Sequence, residues 1–131
     1  MVSIVIVSHS AMLAQGVVEL ARQMAKGSLI LAAGGTEEGE IGTSAPKIAA
    51  QLQQALAHTE GVVVLMDLGS AYLNTALAIE MLPEHLRDRV HLSDAPLVEG
   101  AILAAISAAS GGDAAAVLQS AGEGRQLPKI T

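Results

Sequence analysis

Cysteine, phenylalanine and tryptophan are all missing from the 131 residues, and Tyr72 is the only tyrosine. Without cysteine there is no disulfide, no thiolate metal site and no cysteine nucleophile. The shortage of aromatic platforms argues against the modules that stack nucleic-acid bases. Cations are scarce too: 7 Lys+Arg stand against 13 Asp+Glu, for a net charge of −6, and no basic block occurs. That balance argues against nucleic acid or an anionic membrane surface as a partner. The N-terminal apolar run is too short to cross a bilayer and lacks the basic flank and cleavage site of a secretory leader. The expectation is a soluble, cytoplasmic domain with no nucleic-acid or membrane partner.

What the chain does contain is small aliphatic side chains. Ala, Val, Ile and Leu supply nearly all of its 51% hydrophobic content, which suits tight packing of helices on a sheet in one domain. Val2–Val7, Ser28–Ala32 and Val62–Met66 are short apolar runs without polar alternation, as expected of parallel strands covered on both faces. Val90–Leu92 is a shorter fourth candidate. Between the runs the period becomes helical. Leu13, Val17, Leu20 and Met24 form one stripe, expected to face the core, and Gly27 follows as a helix terminator. Further helices are expected over about Ser44–Ala57 with Pro46 in the first turn, Ala71–Leu82 ending at Pro83, Pro96 to Gly111-Gly112, and Ala114–Ala121. Strand–helix alternation with short connections predicts an α/β fold. Specifically, it predicts a three-layer sandwich, helices on both faces of a mostly parallel sheet of about four strands in the order 2-1-3-4. Residues 1–122 are expected to form the domain, and the polar segment 123–131 a flexible tail or the start of a linker.

In open α/β sheets ligands bind beyond the carboxyl ends of the strands, where the strand order reverses. In the expected order that point lies between the first and third strands. The first ends in Ser8-His9-Ser10 and the third in "MDLGSA", so His9 and Asp67 should emerge side by side. Imidazole serves as nucleophile or base near neutral pH, and a carboxylate on one ring nitrogen fixes the tautomer and frees the other. Ser10 can cap the following helix and turn its N-terminal N–H groups toward an anion. The loop "AAGGTEEGEIGTSAP" adds Gly34, Gly35, Thr36, Gly42, Thr43 and Ser44 as further donors on the same rim. A histidine beside anion-binding loops points to phosphoryl chemistry on the ring, for which no metal or cofactor is required.

Plainer readings stand beside this one. A histidine at a strand end can be a surface or capping residue, Asp67 can cap the third helix, and Ser8 and Ser10 can be turn and cap residues. The glycine-rich loop matches neither a P-loop nor a dinucleotide fingerprint. His58, His85 and His91 read as structural. A hydrolase built from Ser8 or Ser10 with His9 and Asp67 and a non-catalytic interaction module are the competing classes.

"IVIVSHS", "GGTEEGEIGTSA" (34–45) and "MDLGSA" (66–71) together resemble the phosphotransfer subunits of bacterial dihydroxyacetone kinase, the DhaM family, and more widely the mannose-type enzyme IIA domains of the sugar phosphotransferase system. The three motifs span most of the chain in the right order. The resemblance implies that His9 is the phosphorylated residue and Asp67 its hydrogen-bonding partner. It also implies the phosphocarrier HPr as donor, ADP on the subunit DhaL as acceptor, dihydroxyacetone as the final substrate, and a homodimer. Ser10, Gly35, Thr36, Gly42 and Thr43 would then be the phosphate-binding residues. Some members continue into HPr-like and enzyme-I-like domains. The mannose-type enzyme IIA branch is the nearest alternative, and the 34–45 loop favours the kinase branch.

Overall fold

All seven residues of the first strand, β1 (Val2–Ser8), are buried, so it must be covered on both faces and paired on both edges. A computed structural model, which describes residues 1–131, shows how this is done. Along the chain follow α1 (Ala11–Met24), β2 (Ile30–Gly34), α2 (Ala45–His58), β3 (Gly61–Met66), α3 (Ala71–Glu80), the single turn α4 (Glu84–Arg87), β4 (Val90–Leu92), α5 (Leu97–Ala109) and α6 (Ala114–Gly122). The strands form one parallel sheet of four in the order β2-β1-β3-β4. The expected sandwich and strand order are therefore present.

Alternation along the strands divides the core into two layers. Val2, Ile4 and Ile6 with Val63 and Leu65 pack against α1, α5 and α6. Val5 and Val7 with Val62 and Val64 pack against α2 and α3. No helix is long and apolar enough to cross a membrane.

Two local expectations need correction. The buried face of α1 is Ala14, Val17, Val18 and Ala21, whereas Leu13, Leu20 and Met24 are exposed. The helix lies so close to the sheet and to α5 that only small side chains fit the seam, and the larger aliphatics flank it. The second strand begins at Ile30 rather than Ser28, because Gly27 at φ +95° and the bond from Ser28 N–H to the Ala25 carbonyl make a turn there. Pairing then runs on to Ser8 opposite Gly34. Beyond α6, Glu123–Gln126 form a 3-10 turn with Gly124 buried, Arg125 bonded to Asp94 and Lys129 to Glu99.

Candidate active site at the switch point

Adjacent parallel strands with opposite crossovers leave a gap at their carboxyl ends, and β1 and β3 are that pair here. The Val7–Met66 register places the residues that follow them within reach of each other. Asp67 donates its N–H to the Val7 carbonyl, which carries the strand pairing one residue further. Its carboxylate turns toward His9. Oδ1 lies 3.0 Å from His9 Nδ1, and Oδ2 accepts the His9 N–H at 2.9 Å. Oδ2 also accepts the Ser8 hydroxyl at 2.8 Å, and Oδ1 the Leu68 N–H at 2.7 Å.

Burial of the carboxylate works against its charge. The bonds from the His9 N–H, the His9 ring, the Ser8 hydroxyl and the Leu68 N–H outweigh that penalty and hold Asp67 below the usual aspartate range. An ionised carboxylate only accepts hydrogen bonds, so in the neutral ring, the form able to attack, Nδ1 carries the proton and Nε2 the lone pair. Nε2 in turn lies 2.9 Å from the Ser70 hydroxyl, which must donate to it. The His9 side chain keeps 23% of its surface exposed, against 11% for Asp67. The ring thus has one buried, anchored edge and one edge facing outward.

Ser10 is the N-cap of α1, its hydroxyl accepting the Leu13 N–H at 3.1 Å. Asp67 does not cap α3. That position falls to Ser70, whose side chain makes no cap bond and meets the ring instead. Neither the Ser8 nor the Ser10 hydroxyl is hydrogen-bonded to the ring. Ser70 was not singled out as a site residue in the sequence, although it lies within "MDLGSA". The signal available was Asp-x-x-Ser at the entrance to a helix, a spacing of one turn that returns the hydroxyl to the side of the carboxylate.

The glycine-rich loop is laced to β1. Gly35 N–H bonds to the Ser8 carbonyl at 3.1 Å and Gly42 N–H to the His9 carbonyl at 2.8 Å. Both glycines have positive φ, +76° and +141°. A Cβ on Gly42 would lie 2.7 Å from the Thr36 methyl. The loop hydroxyls also have partners: Thr36 Oγ1 accepts the Glu40 N–H and Thr43 Oγ1 the Asn74 amide. Each of these hydroxyls, like that of Ser10, still holds a proton to donate. Lys47 Nζ ties the loop base through the carbonyls of Gly34 and Thr36. A cleft of about 620 Å³ opens on the other side of Asp67, walled by Leu68, Tyr72, Leu92 and Pro96. His58, His85 and His91 lie away from the site, on α2, α4 and β4.

Residues 3–118 match the family described as PTS system fructose IIA component, EIIA-man. Among similar proteins, a phosphoryl donor subunit DhaM of PEP-dependent dihydroxyacetone kinase from Pantoea ananatis is 45% identical over 86% of the chain, which spans only 24% of that protein. The corresponding Listeria innocua protein of kinase 2 is 37% identical over 91% of the chain and 95% of its own length. Among solved structures, a protein of unknown function matches with a TM-score of 0.83 and 37% identity, covering 93% of each chain. The phosphotransferase system component EIIA from Streptococcus agalactiae matches with a TM-score of 0.71 at 16% identity over 99% of this chain and 98% of its own, a likeness of fold.

Proposed function

The chain belongs to the PTS system fructose IIA component family, and on that premise we propose that it is a phosphohistidine relay working as the phosphoryl donor domain of a dihydroxyacetone kinase, the activity named for its DhaM relatives. The observation that carries the reading is the ring of His9, held at Nδ1 by Asp67 with Nε2 turned outward. Nε2 attacks the phosphorus of a donor phosphohistidine on HPr. A P–N bond forms at His9 as the donor's breaks, and the donor imidazole leaves with the electron pair. In the second half a terminal oxygen of ADP, held on DhaL, attacks the same phosphorus, and Nε2 recovers its lone pair.

Positioning and electrostatics supply most of the catalysis in such transfers. Asp67 fixes the tautomer and stabilises positive charge on the ring. Ser70 masks the lone pair at rest and swings its O–H onto a phosphoryl oxygen as Nε2 attacks. The free hydroxyl protons of Ser10, Thr36 and Thr43 are the remaining donors for that group. Gly35 and Gly42, whose N–H groups are already engaged, contribute by holding the loop that presents those hydroxyls. A homodimer is the assembly the resemblance implies, and sedimentation velocity tests it.

One observation favours a second reading. Ser70, His9 and Asp67 are joined in the order of a hydrolase triad. A hydrolase also needs N–H donors beside its nucleophile. Here the N–H groups of Ala71 and Tyr72 are bonded to the carbonyls of Leu68 and Gly69, so the relay is favoured. The deciding experiment incubates the purified chain with enzyme I, HPr and phosphoenolpyruvate and follows intact mass. One acid-labile, base-stable phosphate, absent in His9→Ala, is expected. No label with active donor proteins, together with ester hydrolysis lost in Ser70→Ala, would overturn the relay in favour of the hydrolase.

A further inference from the structure

The hydroxyl of Ser8 is fully buried, and its two partners allow it only one orientation. The Ser10 N–H, 3.0 Å away, can only donate to it. The Asp67 Oδ2, 2.8 Å away on the other side, can only accept while the carboxylate is ionised. The proton of Ser8 therefore points at Asp67. The bonds then run in one direction, from the Ser10 N–H through Ser8 Oγ to Oδ2, while Oδ1 takes the proton of His9 Nδ1 and the Ser70 hydroxyl donates to Nε2. The direction is set at its origin by a backbone N–H, which cannot reverse.

Asp67 Oδ2 has two donors, the Ser8 hydroxyl and the His9 N–H. Both lie on β1 or the residue that follows it, on the side toward the first turn of α1. Without the hydroxyl, each oxygen keeps one backbone N–H, His9 on Oδ2 and Leu68 on Oδ1, but Oδ2 is left with a single donor and the carboxylate is held less tightly about the Cβ–Cγ bond. Oδ1 then faces the ring for a smaller part of the time. We propose that Ser8 is a positioning residue for phosphoryl transfer. Beside the two backbone N–H groups, it narrows the rotation of the Asp67 carboxylate and, through it, favours the Nδ1–H tautomer of His9. Orienting partners of this kind, removed one at a time, cost about 10- to 100-fold in function in other sites.

The test reads the ring directly, with ¹⁵N-labelled histidine and long-range proton–nitrogen correlation on the whole chain at neutral pH. In the unaltered chain His9 is expected as a single tautomer, protonated at Nδ1. In Ser8→Ala it should become a mixture, with phosphoryl uptake from HPr about tenfold slower or worse, and Ser8→Thr, which keeps the hydroxyl, should restore both. A folded Ser8→Ala with the original tautomer overturns the proposal, even if uptake is slower, because the loss would then be merely structural. If Ser8→Ala does not fold, Ser8→Cys carries the test. It keeps the shape with a slightly larger atom and leaves only a weak donor, and an unchanged tautomer there overturns the proposal as well. The rate arm rests on the relay reading, whereas the tautomer arm does not. A chain that takes up no phosphate yet shows the single tautomer and its loss in Ser8→Ala would sink the relay and leave the role of Ser8 standing.

Discussion

The two ends of the sheet use the same materials for different ends. At the amino end, Ser3 Oγ meets Thr59 Oγ1 at 2.8 Å, and the single Thr59 proton lies within reach of the carbonyls of Ala55 and Gly61. Arg89 closes that end on the carbonyls of Leu56, Thr59 and Glu60. At the carboxyl end a buried serine of the same strand also reaches the residue flanking β3, but that residue is Asp67, and the bonds lead on to an imidazole nitrogen at the surface. Every buried polar side chain is partnered at both ends. The amino end terminates on backbone acceptors that do not titrate and cannot form a new bond. The carboxyl end terminates on a lone pair. Satisfied hydrogen bonding is therefore common to scaffold and site, and what separates them is the group on which the bonding stops.

Substitutions can break this contrast from either side. The largest effect belongs to His9→Ala, which should abolish phosphoryl uptake completely in the intact-mass assay while costing about 1–2 kcal/mol of stability, the worth of the ring's bond to the carboxylate, since the backbone N–H bond to Oδ2 remains. Asp67→Ala should leave a slow relay, reduced about 10²- to 10⁴-fold in stopped-flow transfer from HPr, because the ring is freed to choose its tautomer. Unchanged kinetics would remove Asp67 from the mechanism. Thr59→Val inverts the comparison: urea unfolding should show a loss of about 1–3 kcal/mol from the missing Thr59 hydroxyl bonds, Ser3 keeping only its 3.3 Å bond to the Gly61 carbonyl, with the transfer rate untouched. A slower relay in that variant would show that the two ends are coupled. The smallest effect is with acid. Asp67 has a folded-state pKa below its unfolded value, so it contributes stability in full above about pH 4, and that contribution is lost as pH falls through the lower folded value. Acid unfolding of Asp67→Asn should show a shallower loss in that range than the unaltered chain, whereas Thr59→Val should parallel the unaltered chain, since that substitution removes no titrating group.

Much of this was legible in the residues because strands and switch points obey rules of order. Short β-branched runs alternating with helical stretches leave few topologies, and the strand order then requires the residue after β1 to meet the residue after β3. That is why His9 and Asp67, 58 positions apart, could be paired. Periodicity did less well for α1. It weights large aliphatics, whereas the seam selects for smallness, so Ala14 and Ala21 lie inside and Leu20 and Met24 outside. The partners of Ser8 and Ser70 were not legible because a hydroxyl's role is set by what lies within about 3 Å of it, and no pattern in one dimension states that. The same holds for the N–H groups of Gly35 and Gly42, which looked free as residue types and are engaged in space.

Gly34 shows where such blindness will mislead an experimenter. A Cβ at this position would sit 2.7 Å from the Ser10 carbonyl oxygen and 2.8 Å from the Ala11 Cα, so any side chain there lifts the first turn of α1 away from the sheet. That turn holds the Ser10 N–H on which Ser8 depends. In a saturation screen scored by activity, position 34 should therefore appear as intolerant as the histidine itself, although glycine has no side chain to offer a substrate. A ranking of positions by intolerance would place scaffold and chemistry in one class, and only a paired abundance score would separate them.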